Sequence, residues 1–142
     1  MVDVSDKPVT VRTAVAEAVV VLPDDLRDRF LSGDLPKGDG PAVVRIAGIS
    51  GAKKTSDLIP LCHPLPIDFI EVELNPVGRG IQVVATVRST GRTGVEMEAM
   101  TAVSTAALTL YDMVKGMEKA VEIETVRLVR KEGGRSGLWE RK

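Results

Sequence analysis

Cysteine, histidine and aromatic residues are scarce in this chain of 142 residues. It has one cysteine, one histidine, one tryptophan, one tyrosine and two phenylalanines. A single cysteine cannot close an internal disulfide and gives no zinc-binding spacing, which predicts a protein of a reducing compartment. Because aromatic rings are so few, the core must be built from Val, Ala, Leu, Ile and Met side chains.

The chain also lacks an excess of either charge and lacks any long apolar run. The 19 Lys and Arg side chains are balanced by 20 Asp and Glu side chains, giving a formal net charge of −1. This balance argues against a globally basic nucleic-acid binder. Any anion site must therefore be a local cluster of Lys and Arg side chains. No apolar run reaches the roughly 18 residues of a membrane span, and residues 1–5 do not resemble a signal peptide. We therefore expect a cytoplasmic protein with neither membrane nor nucleic-acid partners.

Hydrophobic periodicity predicts four strands and two helical regions. Alternation with period two predicts strands at 9–21, 68–75, 81–87 and 123–129. Helical spacing predicts a short helix from Pro23 to Gly33 and a long helix from Gly94 to Lys115. Residues 39–54 fit a helix, although their Val and Ile residues fit a strand equally well.

The order of these elements predicts the fold class. With residues 39–54 taken as a helix, the order is strand, helix in two pieces, strand, strand, helix, strand. That order is typical of an α+β, ferredoxin-like domain, in which helices pack on one face of an antiparallel sheet. We expect one such domain over residues 1–142, with a flexible glycine-rich tail from about residue 132.

A proline-rich segment at residues 58–66 holds Cys62 and His63 side by side. Proline restricts its own backbone and favours extended geometry in the residue before it, so the segment is expected to be stiff and mostly extended. Neighbours on an extended segment point to opposite sides, which argues against a Cys–His catalytic dyad. A lone cysteine is usually a small buried hydrophobe, and a single histidine is more often structural. Only the bracketing prolines favour a functional role.

The long helix carries a second stripe beside its apolar one. This stripe comprises Glu98, Thr101, Thr105, Leu108, Asp112 and Lys115. Asp112 and Lys115 share a face and form either a surface ion pair or a proton-transfer pair. Glu98 and Asp112 lie about 21 Å apart along the axis at 1.5 Å per residue, so they cannot form one acid–base pair in one chain. Near the helix start, Glu96 and Glu98 are readily explained as capping or solvated charges.

Basic residues are scattered along the chain, and several lie beside glycines or element ends. They are Arg12, Lys37, Lys53, Lys54, Lys115, Lys131 and Arg135. Such positions let a cation and backbone N–H groups approach a phosphate together. Each one alone is a weak signal, because an ordinary solvated charge explains it and no P-loop motif is present.

Four segments resemble the cyclic pyranopterin monophosphate synthase family, accessory protein C of molybdenum cofactor biosynthesis. They are residues 1–5, 52–65, 90–99 and 110–115, and the resemblance runs from Met1 to about Gly137. It implies a lyase that converts a cyclised GTP derivative, 3′,8-cyclo-7,8-dihydroguanosine 5′-triphosphate, into cyclic pyranopterin monophosphate and pyrophosphate. It also implies no resident cofactor, with Mg²⁺ accompanying the triphosphate left open. The implied assembly is a homohexamer, a trimer of dimers, with sites at the dimer interface.

Position by position, the resemblance implies roles for individual residues. Asp112 and Lys115 match the catalytic pair, in which Lys115 would move protons and Asp112 would orient it. The substrate-binding positions match Leu61, Cys62, His63, Met97, Glu98, Lys37, Lys53, Lys131, Arg12 and Glu96. Many family members carry a lysine and a serine where this chain has Arg135 and Glu132, so no catalytic role is assigned to Arg135.

The residues also fit two functions that do not involve catalysis. The first is a ferredoxin-like module that binds a small anion and assembles through its sheet, with Asp112 and Lys115 as a plain ion pair. RNA binding on an open sheet is the second, and it is poor because the strands lack the aromatic pairs that stack on bases.

Overall fold

The computed structural model describes residues 1–142 and contains five strands and four helices. In chain order they are β1 (Thr10–Val21), α1 (Asp24–Leu31), α2 (Gly40–Lys53), α3 (Thr55–Leu58), β2 (Ile67–Val77), β3 (Gly80–Gly91), α4 (Glu96–Val114), β4 (Glu122–Glu132) and β5 (Trp139–Glu140). None of the helices combines the length and hydropathy needed to cross a bilayer.

The five strands form one antiparallel sheet in the order β2-β3-β1-β4-β5. Strand β3 lies between β1 and β2, so the two strand–helix–strand units interleave as in a ferredoxin-like fold. The predicted fold class is therefore confirmed. The edge strand β5 was not predicted, because a two-residue strand carries no periodicity.

Strand β1 shows why the helices cover only one face of the sheet. Its residues Ala14, Ala16 and Ala18 are fully buried on the helix side, opposite buried positions of β3. The alternate face carries Val11, which is 56% exposed. Small side chains on the covered face let α4 pack directly on the strand, since successive residues of a strand alternate between faces.

Helix α2 (Gly40–Lys53) occupies segment 39–54, so the strand alternative for this segment is wrong. Asp39 accepts a hydrogen bond from the amide of Ala42 at 3.0 Å, and Pro41 lies in the first turn, where its missing N–H costs nothing. Gly48 and Gly51 face α4, where a Cβ on either would crowd the neighbouring helix. Close packing between helices, rather than local propensity, explains these glycines.

Replacing Gly51 with alanine is expected to destabilise the fold. The new Cβ would lie 2.8 Å from the Thr105 Cβ and 3.3 Å from the Thr101 carbonyl oxygen. Overpacking of this kind costs about 1–3 kcal/mol, against about 1 kcal/mol gained from the higher helix propensity of alanine. The midpoint of urea unfolding measures the difference. As a control, a Cβ at Gly78 would have no atom within 4 Å, so Gly78→Ala should leave the midpoint in place. Equal midpoints for Gly51→Ala and Gly78→Ala would contradict the packing argument.

Helix α4 buries the apolar stripe predicted from the sequence, with Val103 and Leu110 fully enclosed. The predicted stripe includes Met117, and this part of the prediction is wrong. Met117 is exposed, because α4 ends at Val114 and Met117 lies in the turn that follows. Helix α2 runs antiparallel to α4, since each follows one of the antiparallel strands β1 and β3. The start of α2 is therefore near the end of α4, and the end of α2 is near its start.

Candidate functional site

A cavity of about 540 Å³ opens where α4 begins. Three segments form its wall: the N-terminal residues, the proline-rich segment and the turn into α4. The lining residues are Met1, Val2, Val4, Lys7, Leu61, Cys62, His63, Leu65, Thr93, Gly94, Glu96, Met97 and Glu98. We call this cavity the Cys-His pocket. It brings together six of the predicted substrate-binding residues, which are Leu61, Cys62, His63, Glu96, Met97 and Glu98.

Glu98 is the most deeply buried acid of the Cys-His pocket, with 4% of its surface exposed. Burial raises the pKa of its carboxyl above the usual range, and the neighbouring Glu96 raises it further, while a backbone amide opposes the shift. Glu98 is therefore not an ordinary solvated charge at a helix start. A carboxyl with a raised pKa keeps its proton at higher pH than usual and can donate it in a hydrogen bond to a bound ligand.

Cys62 and His63 both line this pocket, so the expectation that they point to opposite sides is wrong. The amide of Cys62 donates to the carbonyl of Ile59 at 3.1 Å, and this turn interrupts the extended geometry expected there. No hydrogen bond joins the two side chains, in agreement with the prediction that they do not form a dyad. Burial and the nearby Glu98 raise the pKa of the Cys62 thiol, which disfavours the nucleophilic thiolate.

Two basic residues reach the pocket region from the sheet. Lys131 on β4 donates to the Glu96 carboxylate at 3.0 Å, and only about a third of either side chain is exposed. Arg12 on β1 donates to the carbonyl of Arg92 at 3.3 Å, directly before the pocket residue Thr93. Both cations therefore lie at the edge of the Cys-His pocket, although neither lines the cavity itself.

The other end of α4 holds a cluster of three charged side chains. Asp112 binds the Nζ atom of Lys115 at 2.7 Å through Oδ1 and that of Lys37 at 2.8 Å through Oδ2. Lys37 also donates to the backbone carbonyl of Asp112 at 2.7 Å. We call these three residues the Lys-Asp-Lys cluster. Its side chains are about half exposed, and two cationic side chains against one carboxylate give it a formal net charge of +1.

The Lys-Asp-Lys cluster shifts the titration of its own members. The hydrogen bond from Lys115, followed by that from Lys37, lowers the pKa of Asp112 to about 2. In turn, the hydrogen bond to Asp112 raises the pKa of Lys115. Asp112 therefore stays ionised at every pH well above 2, and Lys115 keeps its proton at neutral pH.

Removing either lysine is expected to raise the pKa of Asp112 from about 2 toward its ordinary 3.8. Lys115→Ala should raise it more than Lys37→Ala, because the Lys115 hydrogen bond is the larger cause. Carboxyl ¹³C NMR titration measures this shift. Lys119→Ala, which removes an exposed lysine without an ion pair to Asp112, should leave the pKa in place. An unchanged pKa in Lys37→Ala would contradict the three-residue cluster.

The Cys-His pocket and the Lys-Asp-Lys cluster lie at opposite ends of α4, about 21 Å apart at 1.5 Å per residue. One chain therefore does not bring all the predicted residues together. Lys53, the last residue of α2, has no ion pair or side-chain hydrogen bond to either group.

Sequence reasoning missed two features of these groups. It did not join Lys37 to Asp112, since only the fold brings these distant positions together, and the neighbouring Pro36 and Gly38 gave the only local signal. It also did not place Lys7 and the other N-terminal residues in the pocket wall. In the sequence, residues 1–5 carry part of the family resemblance and no local sign of a role in a pocket.

The chain is similar to known proteins along almost its whole length. The sequence model of the MoaC family matches residues 1–134. The chain is 56% identical over 142 residues to a cyclic pyranopterin monophosphate synthase of Cereibacter sphaeroides, covering 99% of this chain and 89% of that protein. Proteins of the same name from Corynebacterium efficiens and Chloroflexus aggregans are 53% and 52% identical, over 98% and 99% of this chain and 90% and 87% of their own lengths.

Proposed function

We infer the reaction from one premise: the chain belongs to the MoaC family, whose model spans residues 1–134. Relatives that are 52% to 56% identical over nearly the whole chain carry the name cyclic pyranopterin monophosphate synthase. The protein is accordingly a lyase of molybdenum cofactor biosynthesis that forms cyclic pyranopterin monophosphate. A non-catalytic anion-binding module is not favoured.

The proposed substrate is 3′,8-cyclo-7,8-dihydroguanosine 5′-triphosphate, and one observation of the structure supports it above the others. Two ammonium groups, from Lys37 and Lys115, converge on the single carboxylate of Asp112. Their remaining N–H donors and the net positive charge suit an anionic substrate. Closing the cyclic phosphate forms a bond from a hydroxyl oxygen to the α-phosphorus, releases the hydroxyl proton and breaks the bond from that phosphorus to the pyrophosphate that leaves.

We assign Lys115 to proton transfer and Asp112 to its orientation. Because Asp112 raises its pKa, Lys115 is protonated at neutral pH and is set to donate a proton before it accepts one. His63 in the Cys-His pocket would bind or polarise the base or a phosphate, and Glu98 would hydrogen-bond the ring system. Cys62 would pack against the substrate as a neutral thiol.

The complete site is proposed to form between two copies of the chain. About 21 Å separates Glu98 from Asp112 along α4, so the Cys-His pocket of one chain would face the Lys-Asp-Lys cluster of another. Leu108, one turn before Asp112, is 62% exposed, and Val43 and Ile46 of α2 are also exposed. Apolar side chains in such positions suit burial against a second copy. The proposed assembly is a homohexamer arranged as a trimer of dimers.

No resident cofactor is part of the proposal. Any Mg²⁺ is proposed to enter with the triphosphate, because oxygen atoms are the ligands that this ion prefers. The proposed location is the cytoplasm, where a free thiol such as that of Cys62 stays reduced.

Incubating the purified protein with the cyclised triphosphate tests the function directly. The expected products are pyrophosphate and a pterin that carries a cyclic phosphate, detected by a coupled phosphate assay and by mass spectrometry. Binding of the triphosphate without release of pyrophosphate would instead favour a non-catalytic module.

A further inference from the structure

The loop of residues 133–138 crosses from β4 to β5 and is held at both of its ends. After the loop, the amide of Arg141 donates to the Val129 carbonyl at 2.8 Å, and its guanidinium donates to the Leu128 carbonyl at 2.7 Å. Within the loop, the amide of Gly137 donates to the carbonyl of Gly134 at 3.3 Å. The path of the loop is therefore set by its attachment to the edge of the sheet.

In this loop, Gly133 and Gly134 pack against the Arg12 side chain and leave no room for a Cβ atom. A Cβ on Gly134 would overlap the Nη1 atom of Arg12 and lie 2.5 Å from its Cζ atom. A Cβ on Gly133 would overlap the carbonyl oxygen of Val11 and lie 3.2 Å from the Cδ atom of Arg12. Their φ angles of +101° and +72° also favour glycine. Any side chain at Gly134 would therefore displace the guanidinium.

Arg12 has more hydrogen-bond donors than the protein satisfies. Its Nε atom is buried without a partner, and its hydrogen bond from Nη2 to the Arg92 carbonyl is long, at 3.3 Å. A guanidinium has five N–H donors, and a partly buried cation with unpaired donors is costly unless an anion pairs with it. Such an anion would approach at the edge of the Cys-His pocket, because Arg92 directly precedes the pocket residue Thr93.

We propose that Gly133 and Gly134 are positioning residues that hold the Arg12 guanidinium so that its unpaired donors meet the phosphate groups of the substrate. The two glycines act through Arg12 and do not themselves touch the substrate. This inference rests on the proposed function, since the anion is taken to be the triphosphate or the pyrophosphate derived from it.

Gly134→Ala compared with Gly137→Ala tests the proposal. Gly137 also has a positive φ, +60°, but nothing lies within 4 Å of a Cβ placed there, so its variant carries backbone strain without contact to Arg12. Gly134→Ala should raise KM for the cyclised triphosphate, and Kd for inorganic pyrophosphate, at least tenfold, with a smaller effect on kcat. Gly137→Ala should stay within twofold of the unmodified protein in both constants. Equal constants for the two variants would overturn the proposal.

A double variant separates positioning from a general structural effect. If Gly134 acts through Arg12, Arg12→Ala combined with Gly134→Ala should bind pyrophosphate no more weakly than Arg12→Ala alone. Additive losses would contradict the proposal. Arg12→Lys keeps the charge, leaves the loop untouched and should reproduce the weaker binding even if Gly134→Ala fails to fold.

The two readouts distinguish the inference from the proposed function. If the unmodified protein binds pyrophosphate but makes no cyclic-phosphate pterin, the function fails, while the pyrophosphate comparison of the variants still decides the positioning role. If the protein is active but pyrophosphate binding and KM are insensitive to Arg12 and Gly134, the positioning role fails alone. Absence of both activity and pyrophosphate binding rejects both.

Discussion

Replacing Lys115 with alanine is expected to reduce kcat by about 10²–10⁴-fold, the usual contribution of a positioned acid or base. The fold should be unaffected, because the Lys115 side chain is half exposed and pairs only with Asp112, and exposed ion pairs add little stability. Steady-state release of pyrophosphate measures the loss, and urea unfolding checks the fold. Substrate binding should weaken less than turnover, since Lys37 still presents a cation at the same carboxylate.

Two companion variants sharpen this test. Lys115→Arg keeps the charge and the pairing with Asp112 but not an amine that can exchange its proton, so it should remain nearly as inactive as alanine. Lys119→Ala removes a nearby exposed lysine and should retain full activity. Near-normal turnover in Lys115→Ala, or a comparable loss in Lys119→Ala, would remove Lys115 from the proton-transfer role.

Mixing two inactive variants should restore activity. Asp112→Asn removes the charge that orients the lysines, and Glu98→Gln removes the buried acid of the Cys-His pocket. If each site combines one pocket with the Lys-Asp-Lys cluster of another chain, half of the randomly mixed dimers contain both variants, and one of their two sites is intact. Because a two-fold interface uses the same surfaces on both chains, an equal mixture should reach about 25% of the normal rate. Turnover after subunit exchange, measured by pyrophosphate release, tests this result.

A matched mixture provides the control. Asp112→Asn and Lys115→Ala both damage the Lys-Asp-Lys cluster, so their mixture leaves no site with an intact cluster and should stay inactive. Subunit exchange is confirmed by native mass spectrometry of chains with different isotope labels. Full exchange without recovery in the Asp112→Asn and Glu98→Gln mixture would contradict a site shared between chains.

The elements with strong periodicity were predictable from the sequence. Strand β1, the β2–β3 hairpin and helix α4 each repeat one pattern over many residues, and the structure differs from the predicted bounds by only a few positions. Segment 39–54 was ambiguous because its Val and Ile residues fit a strand as well as a helix, and Gly48 and Gly51 weaken both interpretations. The two glycines are explained by the proximity of α4 and, at Gly48, of Val72 in β2, which a local pattern does not contain.

The candidate site was predictable where its residues are near one another in sequence. Asp112 and Lys115 lie one helical turn apart, so their pairing followed from spacing alone. The contact of Lys37 with Asp112 depends on the antiparallel packing of α2 and α4. The turn at Ile59, which brings Cys62 and His63 to one pocket, is a local backbone choice that the prolines of the segment did not reveal.

Both Glu98 and Asp112 are held in place by the packing of one helix, α4, on buried alanines. Ala102 and Ala106 lie near the middle of this helix, and the alanine row of β1 is fully buried on the helix-covered face of the sheet. A larger side chain at Ala102 would overpack the core and displace α4. Because Glu98 and Asp112 are both carried by α4, that displacement would move both of them. Substitutions in the core, distant from any charged group, should therefore disturb the Cys-His pocket and the Lys-Asp-Lys cluster at once.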